Sequence, residues 1–148
     1  ELKDSKITCM DIDGEVLKIT QKNASHHGVE IACTQEDILS VNQMPEEYDI
    51  IVSNPPYVTE AEKQQMRKNV LKYEPSKALF VPDSNPLIFY KKIIELAKKS
   101  LKEKGILYFE INEQFGLEMM ALCDDSGYSF IGLIKDINGK DRFIKAYN

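Results

Sequence analysis

The sequence predicts an α/β fold built on a mostly parallel sheet and closed by a C-terminal antiparallel hairpin. Three observations carry this. Short apolar runs such as Ile7-Thr8-Cys9-Met10, Tyr48 to Ser53 and Ile106 to Ile111 read as buried strands. Segments with helical spacing alternate with those runs, which is the order expected of parallel strands joined by crossover helices. Near the end, Asn138-Gly139 stands between two further apolar runs, a strong signal for a tight hairpin.

Taken in order, the run from Ile7 to Met10 ends at Asp11-Ile12-Asp13. Asp13 is placed to cap a helix whose early turns hold Val16, Leu17 and Ile19. That helix stops near His26-His27, with Gly28 supplying the left-handed residue that helix ends favour. The two histidines read as exposed residues at a helix end, where a partly positive imidazole suits the dipole. Val29 to Cys33 is the next strand and Gln35 to Leu39 a loop; Tyr48 to Ser53 then forms a strand that stops at Asn54-Pro55-Pro56-Tyr57. Thr59 is a candidate N-cap for a polar, helix-prone segment from Glu60 to Asn69, broken by Val70 to Pro75. Ala78 to Val81 is a short apolar run.

Asn85-Pro86 opens the clearest helix, with Pro86 at its first position and Leu87, Phe89, Tyr90, Ile93, Ile94, Ala97 and Leu101 along one face; Gly105 ends that segment. Ile106 to Ile111 is a strongly apolar strand. Phe115 to Asp125 is a helix with Leu117, Met120, Ala121 and Leu122 facing inward, ended by Ser126-Gly127. Tyr128 to Ile134 and Arg142 to Tyr147 are the two arms of the hairpin. No internal repeat, linker or low-complexity tract interrupts this order.

The 148 residues are enough for one domain with a sizeable core. The formal net charge of -5 does not suit a protein that grips nucleic acid through its phosphates, and no direct nucleic-acid binding is expected. Cys9, Cys33 and Cys123 form no C-x-x-C pair and read as small buried thiols of a reducing compartment, with no metal site. No apolar run approaches the length of a membrane span and no signal-peptide pattern occurs, so a cytoplasmic location without membrane contact is expected.

In parallel sheets ligands sit beyond the carboxyl ends of the strands. Asp11, Asp37 and Asn54 each fall at or just past such an end, and are expected to converge on one rim. An acidic residue at a strand end can accept hydrogen bonds from ribose hydroxyls, and Asp11 is placed for this if Asp13 does the capping. Asp37 could accept from the amine of an adenine, or be a plain turn residue.

The Asn-Pro-Pro-Tyr tetrapeptide is the more specific signal. The residue before a proline is held extended, and two prolines stiffen the chain while removing two N–H donors. What remains is rich in acceptors, namely the Asn54 side-chain oxygen and the Pro55 carbonyl. Two acceptors can bind both hydrogens of a planar –NH2 group, and Tyr57 offers a flat face to its plane. Fixing the N–H bonds aims the nitrogen at an electrophile, so catalysis would be largely positioning. Asn54 and Pro55 are therefore the candidate catalytic residues, with Pro56 and Tyr57 completing the candidate substrate-binding set.

At these residues the chain resembles a family. Asp-Ile-Ile-Val-Ser-Asn-Pro-Pro-Tyr at 49 to 57 is similar to a motif of the S-adenosylmethionine-dependent amino-methyltransferases. Met10 to Asp13, Asn23-Ala24, Tyr73-Glu74-Pro75, Ala78-Leu79, Leu107 to Ile111 and Asp136 to Arg142 extend the likeness to the HemK/PrmC family, which methylates a glutamine side chain in peptide-chain release factors. The resemblance implies a Rossmann-like class I methyltransferase fold, S-adenosylmethionine as cofactor and a release factor as protein partner. It implies that Asp11 binds the cofactor ribose and Asp37 lies near the adenine. Asn54 would serve both cofactor and substrate, with Pro55 holding the glutamine amide and Tyr57 packing on it. Glu74 would be a wall residue of the site, or a structural loop carboxylate, and Arg142 a structural partner of a hairpin carboxylate. The alternatives are an amino-methyltransferase of adenine or guanine in nucleic acid, and a catalytically silent fragment.

The chain also departs from the family pattern. The family's first strand, its glycine-rich turn and its small N-terminal helical domain have no counterpart here. Asn112 stands where the family has glycine, and Asp83 to Pro86 replaces a glycine-containing turn. Residues 1–148 are therefore expected to be a C-terminal catalytic domain, incomplete at its N-terminus, that alone binds the cofactor weakly or not at all.

Overall fold

A computed structural model describes residues 5–66, 69 and 75–148. The chain falls into two compact units, Glu1–Asn42 and Gln43–Asn148.

The first unit is a strand, a helix and a strand. β1 (Ile7–Asp11) and β2 (Ile31–Gln35) pair in parallel, from Ile7 opposite Ile31 to Asp11 opposite Gln35. Between them runs α1 (Gly14–His26). Its start is fixed by Asp13, whose carboxylate accepts the Glu15 N–H at 2.8 Å. Its end is a double closure: the Gly28 N–H donates to the Ser25 carbonyl at 3.1 Å and the Val29 N–H to the Ala24 carbonyl at 2.9 Å. That geometry needs a left-handed residue, and Gly28 has φ 68°. It also explains why β2 starts at Ile31 and not at Val29, whose N–H is spent on the helix. Leu17 and Val41 are the buried apolar residues of this unit. Cys9 and Cys33 stand opposite each other in the pair, and both are half-buried where full burial was expected.

The second unit holds a four-stranded sheet in the order β3-β6-β8-β7. β3 (Tyr48–Ser53) runs parallel to β6 (Leu101–Glu110), whereas β8 (Asp141–Tyr147) pairs antiparallel with both β6 and β7 (Phe130–Lys135). A two-residue parallel pair, β4 (Val58–Thr59) with β5 (Phe80–Val81), follows the tetrapeptide. Among the described residues the helices include α2 (Ser76–Leu79), α3 (Ile88–Ser100) and α4 (Gly116–Asp125), with 3-10 segments at Ala61–Gln65 and Glu113–Phe115. The hairpin between β7 and β8 turns where expected but not as the two-residue loop that Asn138-Gly139 suggests: the Asp136 N–H donates to the Lys140 carbonyl at 2.8 Å, the Gly139 N–H to the Asp136 carbonyl at 2.9 Å, and Gly139 takes φ 78° as the left-handed residue that closes this longer turn. Among the described residues, no helix is long and apolar enough to cross a membrane.

The core lies between α3 and the sheet. Leu107, Phe109 and Ile111 point to one face by the two-residue period of a strand, and all are fully buried. Tyr90, Ile93, Ile94, Leu96 and Ala97 of α3 are buried too, and the Tyr90 ring meets the Phe109 ring edge-on at 5.1 Å. Each large apolar side chain so buried contributes about 1.5–3 kcal/mol before entropy is counted.

Five expectations need correction. β3 is the end strand of its sheet, and Val52 is 73% exposed, so the expected buried strand is an edge with one open face. α3 begins at Ile88, leaving Pro86 in the preceding turn, where the Ile88 N–H reaches the Asn85 carbonyl. The helix also stops at Ser100, and Leu101 already belongs to β6. Gly105 ends nothing: it sits buried inside β6, where a Cβ would lie 3.0 Å from the Lys102 carbonyl oxygen, and its lack of a side chain lets the strand fold tightly there. In α4 the inward face is Gly116, Met119 and Cys123, whereas Leu117 is 76% exposed. Gly116 sets that rotation, because its backbone approaches β7 and β8 so closely that a Cβ would meet Asp141 Oδ2 at 2.9 Å and Leu133 Cδ2 at 3.1 Å.

Candidate functional site

β3 delivers the tetrapeptide as the sequence predicts. The strand ends at Ser53, Asn54 is exposed, Pro55 is buried and Pro56 and Tyr57 are half-buried. The chain then enters β4 and a turn held by reciprocal bonds between Thr59 and Glu62. The Thr59 N–H and hydroxyl both donate to Glu62 Oε2, at 2.9 and 2.8 Å, and the Glu62 N–H points back to the Thr59 hydroxyl at 3.4 Å. This is the reciprocal bonding of a Thr-x-x-Glu sequence, but Thr59 is not the N-cap expected of it: it ends β4, and Glu60 stands at the cap position of the turn that follows. That turn is a 3-10 segment over Ala61–Gln65.

Residue 57 is held at both ends. Its phenol donates to Glu110 Oε1 at 3.1 Å, and its main-chain carbonyl accepts from Asn112 Nδ2 at 3.3 Å. Asn112 is 6% exposed and fully engaged: its amide also donates to the Glu62 carboxylate at 3.1 Å, and its oxygen takes the Gln114 N–H at 3.1 Å. The Gln114 side chain adds a further bond to Glu62 Oε1 at 2.9 Å. Burial raises the Glu62 carboxyl, but the bonds from Thr59 and Asn112 outweigh it and hold the group below the usual carboxylate range. The Tyr57 phenol moves the other way. Burial first, then the Glu110 carboxylate, push it above the ordinary tyrosine value, against a smaller pull from the Arg142 guanidinium. It is a protonated donor at neutral pH.

Arg142 takes the structural role expected of it, with Nε 3.3 Å from Asp136 Oδ2. Asp136 in turn accepts the Asn138 and Lys140 N–H groups and so shapes the hairpin. A cavity of about 300 Å³ opens beside Tyr57, lined among others by Glu62, Asn112, Gln114, Lys140 and Arg142. Its cations are matched by carboxylates: Lys140 pairs with Glu113 at 2.7 Å and Arg142 with Asp136. Such a lining favours a neutral polar group over a phosphate or a free cation.

Asp11 and Asp37 lie in the first unit. Asp11 ends β1, and its Oδ1 accepts the Asp13 N–H at 2.8 Å, so it is freed from helix capping but steadies the turn into α1. Asp37 follows β2 in a turn, where Oδ1 accepts the Leu39 N–H at 3.0 Å and Oδ2 lies 3.5 Å from the Ser40 hydroxyl. The turn reading of Asp37 is thus visible in its bonds. Tyr73 and Glu74 lie outside the described residues. No group of three or more His, Cys, Asp or Glu side chains among the described residues is placed to hold a metal.

The network of Glu62, Glu110, Asn112 and Gln114 was not read from the sequence. Thr59-x-x-Glu62 is a local signal that points to Glu62. Glu110 and Asn112 have no local signal, because they meet Tyr57 only when β6 is laid beside β3.

The family UPF0020, described as the RMKL-like methyltransferase domain, matches residues 1–75. A release factor glutamine methyltransferase of Bacteroides thetaiotaomicron is 45% identical over 98% of this chain and 52% of its own length. One from Flavobacterium psychrophilum is 44% identical over 98% of this chain and 51% of its own length. The chain thus spans about half the length of the curated relatives it matches. Among solved structures, a methyltransferase from Pyrococcus furiosus superposes with a TM-score of 0.66 at 15% identity, over 96% of this chain and 62% of that one. At that identity the likeness speaks for the fold alone, and the methyltransferase fold expected from the sequence is the fold found.

Proposed function

From the premise that the chain belongs to the UPF0020 family of RMKL-like methyltransferase domains, we propose that it holds the acceptor amide in methyl transfer to a glutamine side chain of a peptide-chain release factor. The observation that carries this reading is Asn54-Pro55-Pro56-Tyr57 at the carboxyl end of β3, with Asn54 exposed and Tyr57 anchored behind it. The Asn54 oxygen and the Pro55 carbonyl would each accept one hydrogen of the carboxamide –NH2. The amide nitrogen is a poor nucleophile because its lone pair is delocalised. Holding both N–H bonds and packing the plane against Tyr57 restricts it to one approach, which is worth far more than a base at this stage. Its surplus proton passes to solvent water once the new bond to carbon has begun to form.

The cofactor read from the sequence, S-adenosylmethionine, supplies an electrophilic methyl group when bound. The residues assigned to it fit in chemistry. Asp11 is a half-buried carboxylate at a parallel strand's end, with one oxygen committed to Asp13, and its other oxygen suits a ribose diol. Asp37 has acceptor capacity beyond its turn bonds for an adenine amine.

Methyl transfer from radiolabelled S-adenosylmethionine to a release factor, to rRNA and to duplex DNA, run in parallel with a protein of the relatives' full length that carries this chain, tests the reading. Label in the release factor that falls about a hundredfold in Asn54→Ala is the expected result. Label in nucleic acid, or a release-factor signal indifferent to Asn54→Ala, would overturn it.

A further inference from the structure

Tyr57 is constrained further than its place in the tetrapeptide requires. Two prolines fix the backbone before it, but they leave its side-chain torsions open. The structure restrains the side chain at its hydroxyl and the backbone at its carbonyl. Glu110 Oε1 takes the phenol at 3.1 Å. Arg142 lines the same cavity as Tyr57, and its guanidinium pulls on the phenol in the opposite sense to Glu110. Asn112 grips the carbonyl of the same residue at 3.3 Å.

Each of these groups is itself anchored. The Glu110 carbonyl accepts the Tyr90 hydroxyl at 2.9 Å, and Tyr90 is fully buried against Phe109. Arg142 is tied to Asp136 through its side chain, and its carbonyl accepts the Ile111 N–H at 2.9 Å, one residue after Glu110. The clamp on Tyr57 is thus continuous with the rigid part of the core. Glu110 does not reach the tetrapeptide's acceptor oxygens through any hydrogen bond, so its action on a ligand runs through the tyrosine.

We propose that Glu110, backed by Arg142, is a positioning residue that locks the Tyr57 ring in one orientation and thereby sets how tightly the tetrapeptide takes a planar carboxamide. The affinity half of this inference rests on the acceptor reading given above; the ring-locking half does not. A hydroxyl already committed to a carboxylate is an anchor and not a proton source, so the effect belongs to binding and orientation. Glutamine at position 110 keeps an acceptor oxygen at the same reach, whereas alanine removes it, so the two variants separate the hydrogen bond from the bulk fold.

The test uses the 148-residue chain with ring-13C tyrosine, the Tyr57 resonance being assigned through Tyr57→Phe. Glu110→Ala is expected to move that resonance toward the position of an exposed tyrosine. It should also weaken binding of a short glutamine-containing peptide, followed by resonance shifts, about tenfold. Glu110→Gln should keep the resonance in place and hold the affinity within about twofold. Arg142→Met, which spares the carboxylate, should move the Tyr57 resonance less than Glu110→Ala does. An unmoved Tyr57 resonance in Glu110→Ala, or equal effects of alanine and glutamine, overturns the clamp. A peptide that moves no resonance in the unmodified chain overturns the carboxamide reading and the affinity half with it, while the tyrosine signal still decides the clamp.

Discussion

Glu62 gathers donors from Thr59, Asn112 and Gln114 onto one carboxylate, and this makes a single side chain the tie between the turn after the tetrapeptide and the end of β6. Its charge is part of the tie. The folded-state carboxyl is depressed, so the stability it contributes is fully present above its ordinary value of 4.5. That contribution is lost as pH falls below the ordinary value through the depressed one. Glu62→Gln should accordingly destabilise the chain at neutral pH, and the gap to the parent should shrink as the pH falls to about 3, read as urea midpoints across that range. A gap that widens toward acid would reverse the sign of the assignment. Part of this was legible beforehand, since Thr-x-x-Glu is a local pattern. The partnership of Tyr57 with Glu110, 53 positions apart, was not: no local rule links them, and only the register of β3 against β6, with Ser53 opposite Phe109, brings them together.

At the scale of the elements, α4 shows how a strongly apolar helix hides its orientation. Leu117, Met119, Met120, Ala121 and Leu122 leave several stripes open to choice, and composition favoured the wrong one. Close approach at Gly116 decides it, and the buried stripe is Gly116, Met119 and Cys123. Cys123 is correspondingly inert, its thiol pushed up to about 12 by burial. Met119→Ala should cost about 2–5 kcal/mol, whereas Leu117→Ala should stay within about 0.5 kcal/mol, both by denaturant unfolding. Comparable costs for the two would mean that α4 is rotated. The other elements were legible where punctuation was explicit. Asp13 and Gly28 bracket α1, Asn54-Pro55 ends β3, and Asn138-Gly139 turns the hairpin. Leu101 to Gly105 misled because a lysine-rich stretch after an amphipathic helix looks like its continuation, and the kink that makes it a strand depends on a glycine packed against Leu101 and Lys102.

For the molecule as a whole, the alternation of apolar runs was enough to foresee an α/β fold with a closing hairpin. It could not foresee how the strands would be distributed. β1 and β2 form a sheet of two, and β3 is the end strand of a sheet of four. The core is unequal as well, since Leu17 and Val41 are its members in residues 1–42 and the remaining buried apolar residues lie in 43–148. A sheet of two strands gains little by itself and relies on the helix across it.

The edge of β3 has a further consequence, in colloidal terms. Ile50 and Val52 are 46% and 73% exposed on a strand whose outer backbone groups have no sheet partner among the described residues, and such an edge is a template for another strand. Between copies, the net charge of -5 opposes that encounter. The repulsion is long-ranged and is screened within about 10 Å at 0.1 M salt, whereas edge pairing acts at contact and is not. Light scattering should therefore detect self-association that grows as salt is raised, the reverse of what ion pairing between copies would give. Val52→Lys should suppress it at every salt concentration, by placing a charge on the edge itself.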